Sequence, residues 1–128
     1  MNDWRELKTM TKALADVARL TIVYHLARRD EVTVTELTAL LSISQPLVSW
    51  HLRKLRRAGL IETRREGRQV HCSLNRQRYR YCLQRLEGLI DQTGWIEAPP
   101  IGADLMESET SSTGALKAAR MDEEGLVL

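Results

Sequence analysis

The stretch Ser42-Ile43-Ser44-Gln45-Pro46-Leu47-Val48-Ser49-Trp50-His51-Leu52-Arg53-Lys54-Leu55-Arg56-Arg57-Ala58-Gly59-Leu60-Ile61 decides the fold. Ser44 is a good N-cap, and Pro46 suits the first turn of a helix, where no backbone N–H is required. Leu47, Val48, Leu52 and Leu55 recur at helical spacing and set one apolar stripe against a core. Gln45, Ser49, Arg53 and Arg56 fall away from that stripe. Gly59, after Ala58, supplies the left-handed residue on which many helices end. A strand follows, then Arg64-Arg65-Glu66-Gly67-Arg68 at the tip of a hairpin. A basic helix beside an arginine-tipped hairpin is aimed at a polyanion.

Working outward, Thr33-Val34-Thr35-Glu36 is a capping box, and Leu37, Leu40 and Leu41 supply the buried side of the helix it opens. The link Ser42–Ser44 is short, so these two helices meet as a helix-turn-helix. Upstream, residues 1–15 read as a helix in which Trp4, Leu7, Met10 and Leu14 share a face. Asp16 caps a second helix with apolar Val17, Leu20, Ile22, Val23 and Leu26, broken at Asp30-Glu31. A short strand is expected over 32–34. Downstream, strands over 60–64 and 69–74 flank the hairpin tip. Asn75 caps a last helix over 76–92, where Tyr79, Leu83, Leu86 and Ile90, beside Cys82 and Leu89, form a broad apolar face.

The expected fold is therefore mainly α with a small β-hairpin: four helices, two strands and a fifth helix. Residues 1–96 form one domain. Residues 97–128, with Pro99-Pro100 and a small-residue, polar run from Glu107 to Gly114, are expected to be a disordered acidic tail. No apolar run approaches a membrane span and the N-terminus lacks a secretory pattern, so a cytoplasmic protein is expected. Two cysteines without a repeating framework agree with a reducing compartment. Phenylalanine is absent, so the core must be mostly aliphatic.

The net charge of +2 conceals a polarity. Residues 44–80 carry ten Lys/Arg against Glu62 and Glu66, a net of +8, whereas residues 97–128 carry seven acids and two bases, a net of −5. The first segment has the electrostatic footprint of a nucleic-acid face. A recognition helix presents its N-terminal residues to base edges in the major groove. Gln45, Ser49 and Arg53 are the candidates for reading bases, since Gln pairs with adenine and Arg with guanine. Ser44, His51, Lys54, Arg56 and Arg57 are candidates for phosphate contacts, with Arg64, Arg65 and Arg68 on the wing.

The order of elements, and particular residues in it, resemble the ArsR/SmtB-type winged-helix regulators. The matching residues are Leu14-Ala15-Asp16-Val17-Ala18-Arg19-Leu20 and Ile22, then Ser44-Gln45-Pro46, Val48-Ser49, His51-Leu52, Leu55 and Ala58-Gly59-Leu60-Ile61. Arg64-Arg65-Glu66-Gly67-Arg68 and Cys72-Ser73-Leu74 complete the set, which covers about residues 5–92. Val17-Ala18 departs from the family, which often has proline there. The resemblance implies a homodimeric, sequence-specific repressor on a palindromic operator in double-stranded DNA, with the first and last helices at the subunit contact. The apolar stripes support that contact separately: Trp4, Leu7 and Met10 on one helix, Tyr79, Leu83, Leu86 and Ile90 on the other.

No cofactor or metal is expected. The thiolate pair that many family members carry would fall on Thr33 and Thr35, which cannot ligate a soft cation. The last helix contains no histidine, only Glu87 and Asp91 as acids, and the spacing of His25, His51 and His71 matches no zinc site. Cys72 and Cys82 raise the alternative of a thiol-based redox-responsive regulator, against the simpler reading of two buried hydrophobes. A second alternative is a winged helix used as a protein–protein interaction module. An enzyme is not expected, because no nucleophile–base pair, phosphate loop or carboxylate pair is present. The inducer, or a partner protein in its place, is not encoded in any recognisable motif.

Overall fold

The computed structural model describes residues 3–91. In chain order they form α1 (Asp3–Leu14), α2 (Val17–Ala27), β1 (Val32–Thr33), α3 (Val34–Leu41), α4 (Gln45–Arg57), β2 (Ile61–Glu66), β3 (Gln69–Leu74) and α5 (Arg76–Ile90). The acidic tail expected over 97–128 lies outside the described residues.

Helix starts are set by side chains that satisfy otherwise orphaned N–H groups. The Asp16 carboxylate accepts from the backbone N–H of Ala18 at 2.8 Å and Arg19 at 3.3 Å. Thr33 and Glu36 form the reciprocal capping box of α3. Ser44 Oγ accepts from Leu47 N–H, and Asn75 Oδ1 from Arg78 N–H. Between α3 and α4, Ser42 takes the left-handed conformation with φ 54°, which turns the chain sharply enough for the two helices to meet. Gly59 has φ +76° beyond the end of α4 and directs the chain into β2.

The sheet is antiparallel in the order β1-β3-β2. The short strand expected over 32–34 is present as β1 and joins the expected hairpin as a third strand, Val32 pairing with Cys72 and Thr33 with His71. The hairpin loop is also tighter than the four residues expected. Glu66 pairs with Gln69, so only Gly67 and Arg68 lie outside the ladder. Gly67, at φ +62°, sits first in this loop, where the II′ turn of two-residue hairpins demands positive φ.

All four helices preceding the hairpin, the sheet and α5 close on one aliphatic core, with Met10, Ile22, Leu26, Leu37, Val48 and Leu55 fully buried. Leu7 and Met10 are 5% and 1% exposed, which corrects their assignment to a subunit contact. α1 packs against α2, α4 and α5, so its apolar stripe is consumed by the protein's own interior.

Left-handed backbone makes a prediction at the two glycines. A Cβ at Gly59 would lie 3.2 Å from Arg78 Nε, and Arg78 is already held by Glu6 through a 2.7 Å ion pair, whereas a Cβ at Gly67 meets nothing within 4 Å. Gly67→Ala should cost about 1 kcal/mol from backbone strain alone, and Gly59→Ala about 1–2 kcal/mol. Urea unfolding midpoints check the order. Equal losses would mean that Arg78 yields without cost.

Candidate nucleic-acid interface

α4 is amphipathic, with Leu47, Val48, His51, Leu52 and Leu55 buried and the opposite side in solvent. Ser44, Gln45, Arg53, Arg56 and Arg57 are exposed, and Ser49 is half-buried. Arg56 Nη1 donates to Thr63 Oγ1 on β2 at 3.5 Å, so the helix leans on the wing. Ser49, Arg53, Arg56 and Thr63 line a shallow cleft of about 160 Å³ between the two. Lys54 is half-buried, with its ammonium 5.2 Å from the centroid of the Trp50 ring. Burial, and then the neighbouring cations Arg57, Arg19, Lys12 and Arg53, hold the Lys54 pKa below its ordinary value. That crowding of like charge is what an anionic ligand would relieve.

The wing arginines divide into two kinds. Arg65 and Arg68 are exposed at and beside the tip, and neither forms an ion pair among the described residues. Arg64 is different. Its Nε and Nη2 donate to the two carboxylate oxygens of Glu31 at 3.2 and 2.7 Å, and its Nη1 donates to Glu66 Oε2 at 3.0 Å. These hydrogen bonds raise the Arg64 pKa above its ordinary value and lower that of Glu31. His71 lies 3.6 Å from each of the same two carboxylates. Two carboxylates thus occupy the Arg64 fork, which ties the wing to the segment before β1 while the side chain stays about half exposed.

His51 is also corrected. It is 5% exposed and faces inward, so it makes no phosphate contact. Its Nδ1 lies 3.0 Å from Nη1 of Arg19, itself 8% exposed, and Arg19 Nε donates to the Ala13 carbonyl at 2.6 Å. A guanidinium only donates, so Nδ1 must accept; the ring is neutral there with its proton on Nε2. Arg19 was not singled out as a functional residue. The signal was present, however, for it occupies the buried stripe Arg19, Ile22, Val23, Leu26 of α2, where a cation has no place without a partner.

Cys72 on β3 and Cys82 on α5 are both free and buried. Burial, with Glu31 adding to it, raises the Cys72 thiol from its ordinary value of 9.0 to about 11. Burial also raises Cys82, against the opposing pull of Arg78. Both shifts favour the neutral thiol over the nucleophilic thiolate on which a redox response depends.

Of the remaining residues assigned to a subunit contact, Trp4, Tyr79 and Leu86 are half-buried against the core, and Leu83 and Ile90 are 49% and 76% exposed. Among the described residues no group of three or more His, Cys, Asp and Glu is arranged to hold a metal ion. Thr33 spends its hydroxyl on the cap of α3. No helix among the described residues is long and apolar enough to cross a membrane.

A helix-turn-helix followed by an arginine-tipped hairpin, with exposed cations on both that form no ion pair among the described residues, defines a winged-helix nucleic-acid-binding protein. The model of the bacterial regulatory protein, arsR family, matches residues 16–63. The chain is 39% identical over 80 residues to the arsenic resistance transcriptional regulator ArsR1 of Pseudomonas putida, covering 62% of each chain. It is 44% identical over 64 residues to the arsenical resistance operon repressor of Escherichia coli, covering 50% of this chain and 55% of that one. The chain thus spans about three fifths or less of the length of these relatives. The solved structure of HlyU from Vibrio cholerae superposes with a TM-score of 0.56 at 34% identity, over 67% of this chain and 92% of that one. The chain belongs to the ArsR family of bacterial transcriptional regulators.

Two outcomes test this geometry. Arg19→Met removes the donor at His51 Nδ1 and should lower stability by about 1–3 kcal/mol in urea, whereas His51→Gln, which keeps an acceptor, should cost less. Second, both thiols should resist iodoacetamide at pH 8 until the chain is unfolded. The unfolded Cys72 ionises near 9.0 and the folded one near 11, so its contribution is intact below pH 9 and stability falls as pH rises toward 11. Cys72→Ala should flatten that alkaline decline in a thermal melt.

Proposed function

We propose that the protein is a homodimeric, sequence-specific regulator of transcription in the cytoplasm, acting as a repressor by occupying a palindromic operator in double-stranded DNA. The observation that carries this reading is the exposed basic side of α4, with Gln45, Arg53, Arg56 and Arg57, joined to the wing through the Arg56–Thr63 contact, while Arg65 and Arg68 stay exposed and without an ion pair among the described residues. α4 enters the major groove with Gln45, Ser49 and Arg53 at base edges. Ser44, Arg56, Arg57 and Lys54 lie toward the backbone of the duplex, and Arg65 and Arg68 clasp it from the wing. Phosphate contacts of this kind position the protein, and the few base contacts select the sequence.

The dimer reading is supported by α5. Leu83, Leu89 and Ile90 leave apolar surface in water near its C-terminal end, more than a lone helix on so small a core requires. Trp4 on α1 and Leu86 on α5 are half-buried and leave part of their apolar surface in water. A two-fold axis there would set the two recognition helices about 34–36 Å apart, one turn of B-DNA. A winged helix serving only protein contacts would have little use for unpaired arginines at the wing tip.

Gel shifts on a selected operator and on random duplex test the division of labour. Arg65→Ala and Arg68→Ala should weaken both by similar factors and reduce the salt dependence. Gln45→Ala and Ser49→Ala should cost about 1–3 kcal/mol on the operator and little on random DNA. Arg64→Ala should instead act through the wing, lowering its thermal stability without reducing the salt slope. Absence of any duplex binding at low salt would overturn the reading, and a reporter that falls rather than rises on deletion would overturn repression.

A further inference from the structure

The face between α2 and α5 contains none of the residues assigned to DNA and shares Leu83 with the apolar surface assigned to the subunit contact. There Leu20 and Tyr24 stand opposite Tyr79 and Leu83, above Val23 and Leu74, in a groove of about 420 Å³. That volume falls within the range of small-molecule sites. Leu20, Tyr24 and Leu83 are each about half exposed, at 50%, 52% and 49%, so the floor and walls are apolar and wet.

The same groove is edged by Arg28, Arg76 and Arg80, and among the described residues no carboxylate lines it. The Arg28 guanidinium lies 3.5 Å from the centroid of the Tyr24 ring and donates to the Tyr24 carbonyl at 2.9 Å. Arg76 Nη2 donates to the Ala27 carbonyl at 2.7 Å. These contacts fix the side chains without neutralising them. Among the described residues none of the three has an acidic partner, in contrast with Arg29, Arg64 and Arg78, which are all paired. Three uncompensated guanidinium groups around an aromatic and aliphatic trough are complementary to one kind of molecule: a body that is apolar and a head that is anionic.

We propose that the α2–α5 groove is an effector site for a small anionic amphiphile, an alkyl or aryl carboxylate. The carboxylate pairs with Arg76 and Arg80, whose planar forks suit a two-oxygen acceptor. The hydrocarbon lies on Leu20, Tyr24 and Tyr79, where apolar area now in water is covered. A neutral chain lacks the head and a cationic one is repelled. α2 is also the helix whose Arg19 holds His51 of the recognition helix, so a ligand that draws α2 and α5 together acts on an element bonded to the DNA-reading surface. This last step rests on the DNA-binding reading; the occupancy of the groove does not.

The test uses the full chain and 1-anilinonaphthalene-8-sulfonate, an aryl anion whose fluorescence rises in apolar sites. Wild-type protein should bind the dye, and decanoate should displace it, with decanol and decyltrimethylammonium at least tenfold weaker. Arg80→Glu and Tyr24→Ala should each weaken decanoate at least tenfold while leaving the circular dichroism spectrum and ligand-free operator binding unchanged. Saturating decanoate should shift operator affinity at least threefold in the wild type and not in Arg80→Glu. Equal displacement by decanol would reduce the groove to a plain apolar patch and overturn the proposal. So would Arg80→Glu weakening the operator complex without ligand, which would make this a DNA face. So would a dimer that excludes the dye and opens on Leu83→Glu, which would make it a subunit seam. Bound decanoate with unchanged operator affinity would overturn the effector role. If decanoate binds and no duplex does, it is the DNA reading that falls.

Discussion

One guanidinium, sealed from water, orders the surface on which the proposed function rests. Arg19 enters the core from α2 and meets the C-terminal end of α1 through the Ala13 carbonyl and α4 through the His51 ring. Aliphatic contacts alone allow neighbouring helices to slide and roll at small cost. A buried cation does not, because its donors must find acceptors at fixed distances or lose their hydration without return. The burial that lowers the Arg19 pKa, with Asp16 opposing it, is therefore also what gives the contact its directionality. Three helices are set relative to one another, and the outward residues of α4 inherit that setting.

The wing follows the same division between cations used inside the protein and cations offered outside it. Arg64 and Arg65 are neighbours in sequence and alternate across the ladder, so their environments diverge. Arg64 meets Glu31 and Glu66, and its charge is spent on holding the hairpin against the chain that enters β1. Arg65, with Arg68 at the turn, keeps its charge for solvent or a ligand. A count of basic residues treats these as equivalent; their geometry does not. The short strand β1 contributes here as well, for its pairing with β3 brings Glu31 within reach of Arg64.

What could be read from the sequence was whatever depends on near neighbours. The caps at Asp16, Thr33, Ser44 and Asn75, the left-handed Gly59 and the buried stripe of α4 all follow from residues within a turn of each other. What escaped was set by distant partners. Glu31 and Arg64 are 33 residues apart, and Arg19 and His51 are 32 apart. The short strand expected over 32–34 is present as β1, Val32–Thr33, but its pairing with β3, about 40 residues away, was not legible from so few residues. The stripe of Leu7 and Met10 was read correctly as apolar, but periodicity states only that a face is covered, not whether the cover is the same chain or another copy. His51 shared that ambiguity in reverse, a polar residue at a core spacing in a basic helix.

Because the sheet runs β1-β3-β2, the strand β2 has one side with no neighbour among the described residues. An unpaired strand margin is an invitation to stack, since its backbone groups can take up a further strand from any passing chain. Glu62, Arg64, Arg65 and Glu66 occupy four of its six positions. Their charges make such stacking unfavourable, so the residues that fit the wing for a polyanion also keep it from sticking to its own kind. Variants stripped of those charges for the sake of studying recognition will lose solubility along with it.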